Sequence, residues 1–490
     1  MPPIGERDLV PAAGQPARER SSGSIPARLD DSYRVQPRDV AILAGLAAWV
    51  VASRLPYVHD FAYMGKDGPL YVHSLSFGRD YDVPMPGNIG FVALAKAATL
   101  FWSRPTDAYA AVTIALTVVA ATFTYLIGKI AMPRSVAAAA TFALISNSIV
   151  WFHGVVITSY LVWLAVLPAV GWFGLRFQHA HRRIDLILSS LALGLGTALR
   201  PDLIAFGTPL WSGCLLLGKA RLRDWLCGVA IVAACCASWL LSTAWVLGGV
   251  DVYLGRVFAK HTGDLDGFSL ARRGLVEGLA RNGSKYALFL LWSSHLVVAA
   301  AVLGIAFALR RFRTTPRALF LSILWVGPSW AFSFLVFTGN AGLIFPLLPL
   351  LYLGAAWGLT TLIARRREST GPSMADLRPG VARGAAIAMT ALGLLSTVQF
   401  TAAPLLPEVD QRAVILNVTF LHYGAAGLRA RHNFNLDDYG INPALKSVVR
   451  QMRHPEATPR IPPSNFEPAE PDRRRLVRAS GLDSYDRGTQ

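Results

Sequence analysis

The chain has 490 residues, 53% of them hydrophobic and 16% charged, with a mean hydropathy of +0.41. Soluble domains carry about 25% charged residues, which excludes a large water-exposed surface. The charge is lopsided, with 47 Lys and Arg against 30 Asp and Glu. It falls mostly in short segments between long apolar runs, a pattern that orients membrane proteins rather than one that binds nucleic acid.

Residues 1–39 are polar and rich in Pro and Arg; they are expected to be disordered, with no signal peptide. Hydropathy then marks about eleven stretches that approach the roughly 20 apolar residues a bilayer span needs. They cover residues 40–58, 108–131, 135–152, 155–175, 184–200, 202–218, 225–248, 286–309, 318–337, 342–364 and 383–403. The expected fold class is an all-α polytopic membrane protein whose transmembrane domain covers residues 40–403. Arg38 and Arg54 bound the first span tightly, so Arg54 is expected to snorkel to an interface.

Alternate loops carry the basic residues, among them Lys129 and Arg134, Arg176 with Arg182 and Arg183, Arg221 and Arg223, and the run of Arg365, Arg366 and Arg367. This alternation predicts a cytoplasmic N-terminus and, with an odd number of spans, an extracytoplasmic C-terminal segment. Two long loops then fall outside, residues 59–107 and 249–285, and large polar loops on one face suggest chemistry at that face.

The first outer loop holds Asp60, Asp67, Asp80 and Asp82 with His59 and His73, and ends in Pro84-Met85-Pro86-Gly87-Asn88. Taken singly, each carboxylate also reads as an ordinary loop charge. Residues 89–102 form an apolar stretch interrupted by Lys96, expected as a short interfacial helix rather than a span. The second loop begins with Val250, Tyr253, Leu254 and Val257 at helical spacing. Arg256 and Lys260 make a basic edge there, suited to a lipid phosphate or to non-specific headgroup contact. Arg200-Pro201-Asp202 sits at an outer junction of two spans, where the Arg is either an interfacial anchor or an anion ligand. His153 and Tyr160 carry a weaker version of the same signal. The four cysteines form no CxxC, and no Walker A loop, HExxH or GxSxG occurs. The sequons at Asn282 and Asn417 carry no weight.

These features together resemble the GT-C fold of integral-membrane glycosyltransferases, especially the branch containing protein O-mannosyltransferases and lipid A aminoarabinose transferases. Asp67-Gly68-Pro69-Leu70-Tyr71 is similar to the acidic motif of that branch, and Pro84-Met85-Pro86-Gly87 stands where its proline turn belongs. Arg200-Pro201-Asp202 resembles the Arg-Pro that closes a Gly-rich middle helix. The run from Gly339 to Pro349 looks like the late outer turn. Gly68 replaces the second carboxylate of the motif, and Val83 and Pro84 stand where a Lys or His often precedes the turn.

The resemblance implies a polyprenyl-phosphate sugar donor and a lipid, glycan or protein acceptor on the outer face. It implies Asp67 as general base and Tyr71 lining the site. Arg200, Arg256 or Lys260 then serves as the cation for the donor phosphate, with Arg200 first. Asp82 is a further substrate-side candidate; with His73 it is the only pairing suggesting a divalent metal, and it is not a clear ligand set. A lipid-linked-sugar flippase or transporter, and a polysaccharide polymerase or ligase, are the alternatives. Neither internal repeats nor charged midplane positions favour transport. Residues 404–454 are expected as a small extracytoplasmic segment with one helix capped by Asn442, and residues 455–490 as a disordered tail.

Overall fold

The computed structural model describes residues 32–58, 71–72, 74–75, 87–268, 270, 274–311, 316–336, 338, 341–365 and 379–401. Asp67, Asp82, Gly339, Asn340, the side chain of Lys260, residues 1–31 and the whole C-terminal segment from residue 402 lie outside the described residues. Among the described residues the secondary structure is helical throughout, without a strand.

Helix α1 spans Pro37–Arg54, and α2, of ten residues, spans Ile89–Ala98. At about 1.5 Å per residue α2 is roughly 15 Å long, too short to cross a bilayer. Its inner face buries Phe91 and Ala95, while Leu100, Phe101 and Trp102 beyond its end are exposed. Helix α3, Pro105–Ala131, starts with Pro and Asp107 in its first turn and ends with Lys129 in its last, each at the terminus its backbone geometry or dipole favours. Helices α4 (Arg134–Ile145) and α5 (Ser148–His153) divide one apolar run, because Asn147 caps α5 by accepting from the backbone N–H groups of Ile149 and Val150. Helices α6 (Leu161–Ala180), α7 (Arg183–Leu199), α8 (Leu203–Leu217) and α9 (Leu222–Leu247) follow. Next come α10 (Val250–Phe268), α11 (Leu275–Arg311), α12 (Pro316–Leu335), α13 (Leu348–Arg365) and α14 (Pro379–Thr401).

Among the described residues, five helices are long and apolar enough to cross a membrane. The count is six if the two halves of α11, bent by 102° around Ser294, form one broken span. Of the remaining runs, those at residues 135–152, 202–218 and 342–364 give apolar helices of 10–17 residues, so the count of about eleven is not reached by that measure among the described residues. A break at a polar residue accounts for part of the difference. Asn147 interrupts the run at residues 135–152, dividing it into α4 and α5.

The core is centred on α3 and α6, whose apolar windows are 61% and 78% buried, whereas those of α9 and α12 are only 17% and 22% buried. The latter two present their Leu, Val and Trp side chains outward, which suits hydrocarbon.

One end of the bundle is basic and tightly bonded. Asp39, fully buried, accepts from Lys129 Nζ at 2.7 Å, Arg134 Nε at 2.9 Å and Tyr125 Oη at 2.6 Å. Lys129 also donates to the carbonyl of Arg34 at 2.6 Å, and Tyr33 stacks on His179 with centroids 4.3 Å apart. Residues 32–39, expected within the disordered segment, are therefore held in place by an ion network and an aromatic stack. Arg176 pairs with Asp185 at 3.1 Å at the same end.

Arg54 corrects a second expectation. Its side chain is fully buried rather than directed to an interface. It donates through Nη2 to the Ile145 carbonyl at 2.6 Å and lies 5.9 Å from the Trp151 ring. The α4–α5 segment beside α1 offers it a carbonyl and an indole face.

Candidate functional site at the Arg200 end

Asp39 and Arg54 stand at opposite ends of α1, about 22 Å apart along its axis. Arg200 follows the last residue of α7, whose first turn carries Asp185 at the basic end. Arg54 and Arg200 therefore share the end away from Asp39, and a polar cluster gathers there.

Arg200 is its anchor. Helix α7 stops at Leu199 because Pro201 follows Arg200, and the backbone of Arg200 turns extended. The guanidinium lies between two aromatic faces, 4.1 Å from the Tyr160 centroid and 4.0 Å from that of Trp163. Its Nε donates to Asp202 at 3.1 Å and its Nη1 to Ser159 Oγ at 2.9 Å. Trp163 Nε1 donates to the same carboxylate at 2.8 Å. Asp202 thus both neutralises the guanidinium and fixes one of the rings that stack on it.

Ser159 joins this half to a second one. Its Oγ also accepts from Asn88 Nδ2 at 3.2 Å and from Tyr71 Oη at 3.4 Å, and Asn88 Nδ2 donates to Tyr71 Oη as well. Tyr71 is held from behind, its carbonyl accepting from Tyr109 Oη at 2.9 Å and its ring meeting Phe91 edge-on. Two residues more than a hundred positions apart in the sequence, Tyr71 and Arg200, are thereby joined through one hydroxyl.

Of the other candidates, Arg256 is exposed on α10. That helix forms over the expected residues, with Tyr253 buried and Val250, Leu254 and Phe258 exposed. Lys260 belongs to the same helix. Asp67 and Asp82 fall outside the described residues. Tyr160 enters the cluster as a stacking face. His153 lies behind it, fully buried, with Nδ1 2.9 Å from the Ile149 carbonyl and its ring 4.9 Å from Phe345. Ser159 and Trp163 escaped the sequence reading. A lone Ser between apolar runs carries no signal, and a Trp one turn into a span reads as core. Among the described residues no group of three His, Cys, Asp or Glu is placed to hold a metal ion.

The arrangement offers a guanidinium, two hydroxyls and an amide in one place, all hydrogen-bonded and only partly accessible, with Arg200 14% exposed. Such groups bind an anion or a polyol and hold it in a fixed orientation.

The sequence matches no protein-family model and no curated protein. Among solved structures, ArnT from Cupriavidus metallidurans bound to undecaprenyl phosphate superposes with a TM-score of 0.53 at 16% identity. The match covers 90% of this chain and 84% of that one. The apo state of that protein gives 0.48 at 14% identity over the same shares. The chain has the GT-C fold of that aminoarabinose transferase.

Proposed function

We propose that this multi-pass membrane protein is a glycosyltransferase that moves a sugar from a polyprenyl-phosphate donor to an acceptor on the extracytoplasmic face. The observation that carries the reading is the fold shared over 90% of the chain with a protein whose structure holds undecaprenyl phosphate. The polar cluster at the Arg200 end supports it. In this reading the Asp39 end, where basic residues gather, faces the cytoplasm and the Arg200 end faces outward.

In this reading the isoprenoid chain lies along the lipid-facing helices, and the phosphate meets the cluster of Tyr71, Ser159 and Arg200. Arg256 and Lys260 on α10 are the alternative cations. An acceptor hydroxyl or amine attacks the anomeric carbon and the carbon–oxygen bond to the lipid phosphate breaks. Two charges then need management, the nucleophile's proton and the negative charge of the departing phosphate. Asp67, four residues before Tyr71, takes the proton as general base, a role worth about 10²–10⁴ in rate. Arg200 and its hydroxyl neighbours stabilise the phosphate as it leaves. Asp82 is a further substrate-side residue. The sugar is a hexose or pentose, and the acceptor is a lipid, a glycan or a protein.

The test is incubation of the protein in proteoliposomes with a panel of polyprenyl-phosphate sugars. Loss of sugar from one donor, abolished in Asp67→Asn, supports the transferase. Movement of an intact lipid-linked sugar between leaflets without cleavage identifies a flippase instead.

A further inference from the structure

Arg54 has no part in the scheme above, yet its setting is unusual. It is fully buried, and among the described residues no carboxylate comes within 4.0 Å of it. Its Nη groups bond to Ile145 O at 2.6 Å and Ser53 Oγ at 3.1 Å, while its Nε has no hydrogen-bond partner. An uncompensated guanidinium inside a bilayer protein is costly, and a neutral apolar residue would pack against Trp151 without that cost. Gly154 is adapted to it, since a Cβ at that position would collide with the guanidinium.

The same glycine leads to the cluster. The carbonyl of Gly154 accepts from Thr113 Oγ1 at 3.0 Å. One helical turn earlier, about 6 Å away, Tyr109 bonds to Tyr71. Five residues after Gly154 comes Ser159, which binds Arg200. Arg200 is neutralised by Asp202, whereas Arg54 has no carboxylate partner among the described residues.

We infer that Arg54 is an electrostatic positioning residue. Its charge, unpaired among the described residues and buried beside Gly154, draws an anionic lipid headgroup to the Tyr71–Ser159–Arg200 cluster. The inference rests on the polyprenyl-phosphate reading of the site.

Two lipids with the same isoprenoid chain test it, the anionic undecaprenyl phosphate and the neutral alcohol undecaprenol, each titrated onto the full-length protein in nanodiscs. One unit charge about 10 Å away, at an effective dielectric of about 20, changes affinity roughly tenfold. Arg54→Gln, which keeps a donor for the Ile145 carbonyl but loses the charge, should weaken undecaprenyl phosphate by about that factor. Arg54→Lys should weaken it less than about threefold. Undecaprenol binding should not change in either variant. If Arg54→Gln yields no folded protein, Gly154→Ala displaces the guanidinium and should again lower affinity for the phosphate lipid alone. Equal losses for both lipids would make Arg54 a structural strut, and unchanged phosphate binding would remove it from the site; either result overturns the inference. If the unmodified protein binds undecaprenol but not its phosphate, the polyprenyl-phosphate reading itself fails.

Discussion

Ser159→Ala removes one oxygen and severs both halves of the cluster. The hydroxyl accepts from the charged Arg200 Nη1 at 2.9 Å and from the neutral Asn88 Nδ2 at 3.2 Å, and it is 3% exposed. A hydrogen bond to a charged group is worth about 1.5–3 kcal/mol and a neutral one about 0.5–1.5 kcal/mol. Arg200 remains partly accessible, so water recovers part of its share, and a net loss of about 2 kcal/mol in ordering of the cluster follows. If that order sets the grip on a lipid phosphate, the dissociation constant for undecaprenyl phosphate rises roughly thirtyfold, since each 1.4 kcal/mol is a factor of ten. The assay is a binding isotherm on protein in nanodiscs, with thermal unfolding run in parallel. Ser159→Thr restores the hydroxyl and should recover most of the affinity. Binding by Ser159→Ala within about twofold of the unmodified protein would refute the reasoning, as would equal weakening in the Thr variant.

The ion network at the opposite end gives a stability prediction. Asp39→Ala leaves Lys129, itself 1% exposed, without its counter-ion and should cost about 3–5 kcal/mol. Asp39→Ala with Lys129→Met should recover much of that loss in unfolding experiments, and a double variant no better than the single one contradicts the pairing. Asn147→Leu removes the cap of α5 together with bonds to the Ser293 carbonyl, Ser294 and Tyr352 at 2.8–2.9 Å. It should cost about 2–4 kcal/mol, read as a lowered midpoint of thermal unfolding. Gly342→Ala places a Cβ 2.5–2.7 Å from Cβ and Cδ1 of Tyr160. It should displace that ring from Arg200 and lower phosphate-lipid affinity, at a stability cost of about 1–3 kcal/mol, whereas unchanged binding would separate Tyr160 from the site.

Hydropathy and basic-loop alternation made the helical, polytopic architecture legible, because both follow from the chemistry of a bilayer and not from tertiary detail. The helix at residues 250–268 was legible from the spacing of four apolar residues. Tyr71 and Arg200 were legible as separate candidates, but their meeting was not. It depends on Ser159, a residue with no periodic or charge signal, lying where α2, α6 and α7 converge. Arg54 misled for a physical reason. An Arg at the end of a span snorkels by default, and only the neighbouring Ile145 carbonyl and the absence of a side chain at Gly154 make an inward course possible. The helix breaks were not legible either, since hydropathy averages over Asn147 and Ser294, which interrupt helices inside apolar runs.

In the proposed function a lipid phosphate binds at the end of the bundle where Tyr71, Ser159 and Arg200 meet. An experimental structure of the full chain with undecaprenyl phosphate tests it most directly. Phosphate oxygens should lie within hydrogen-bonding reach, about 3 Å, of Arg200 or its hydroxyl neighbours, with the isoprenoid chain against the lipid-facing helices. Phosphate seated instead among Lys129, Arg134 and Arg176 at the opposite end would contradict it.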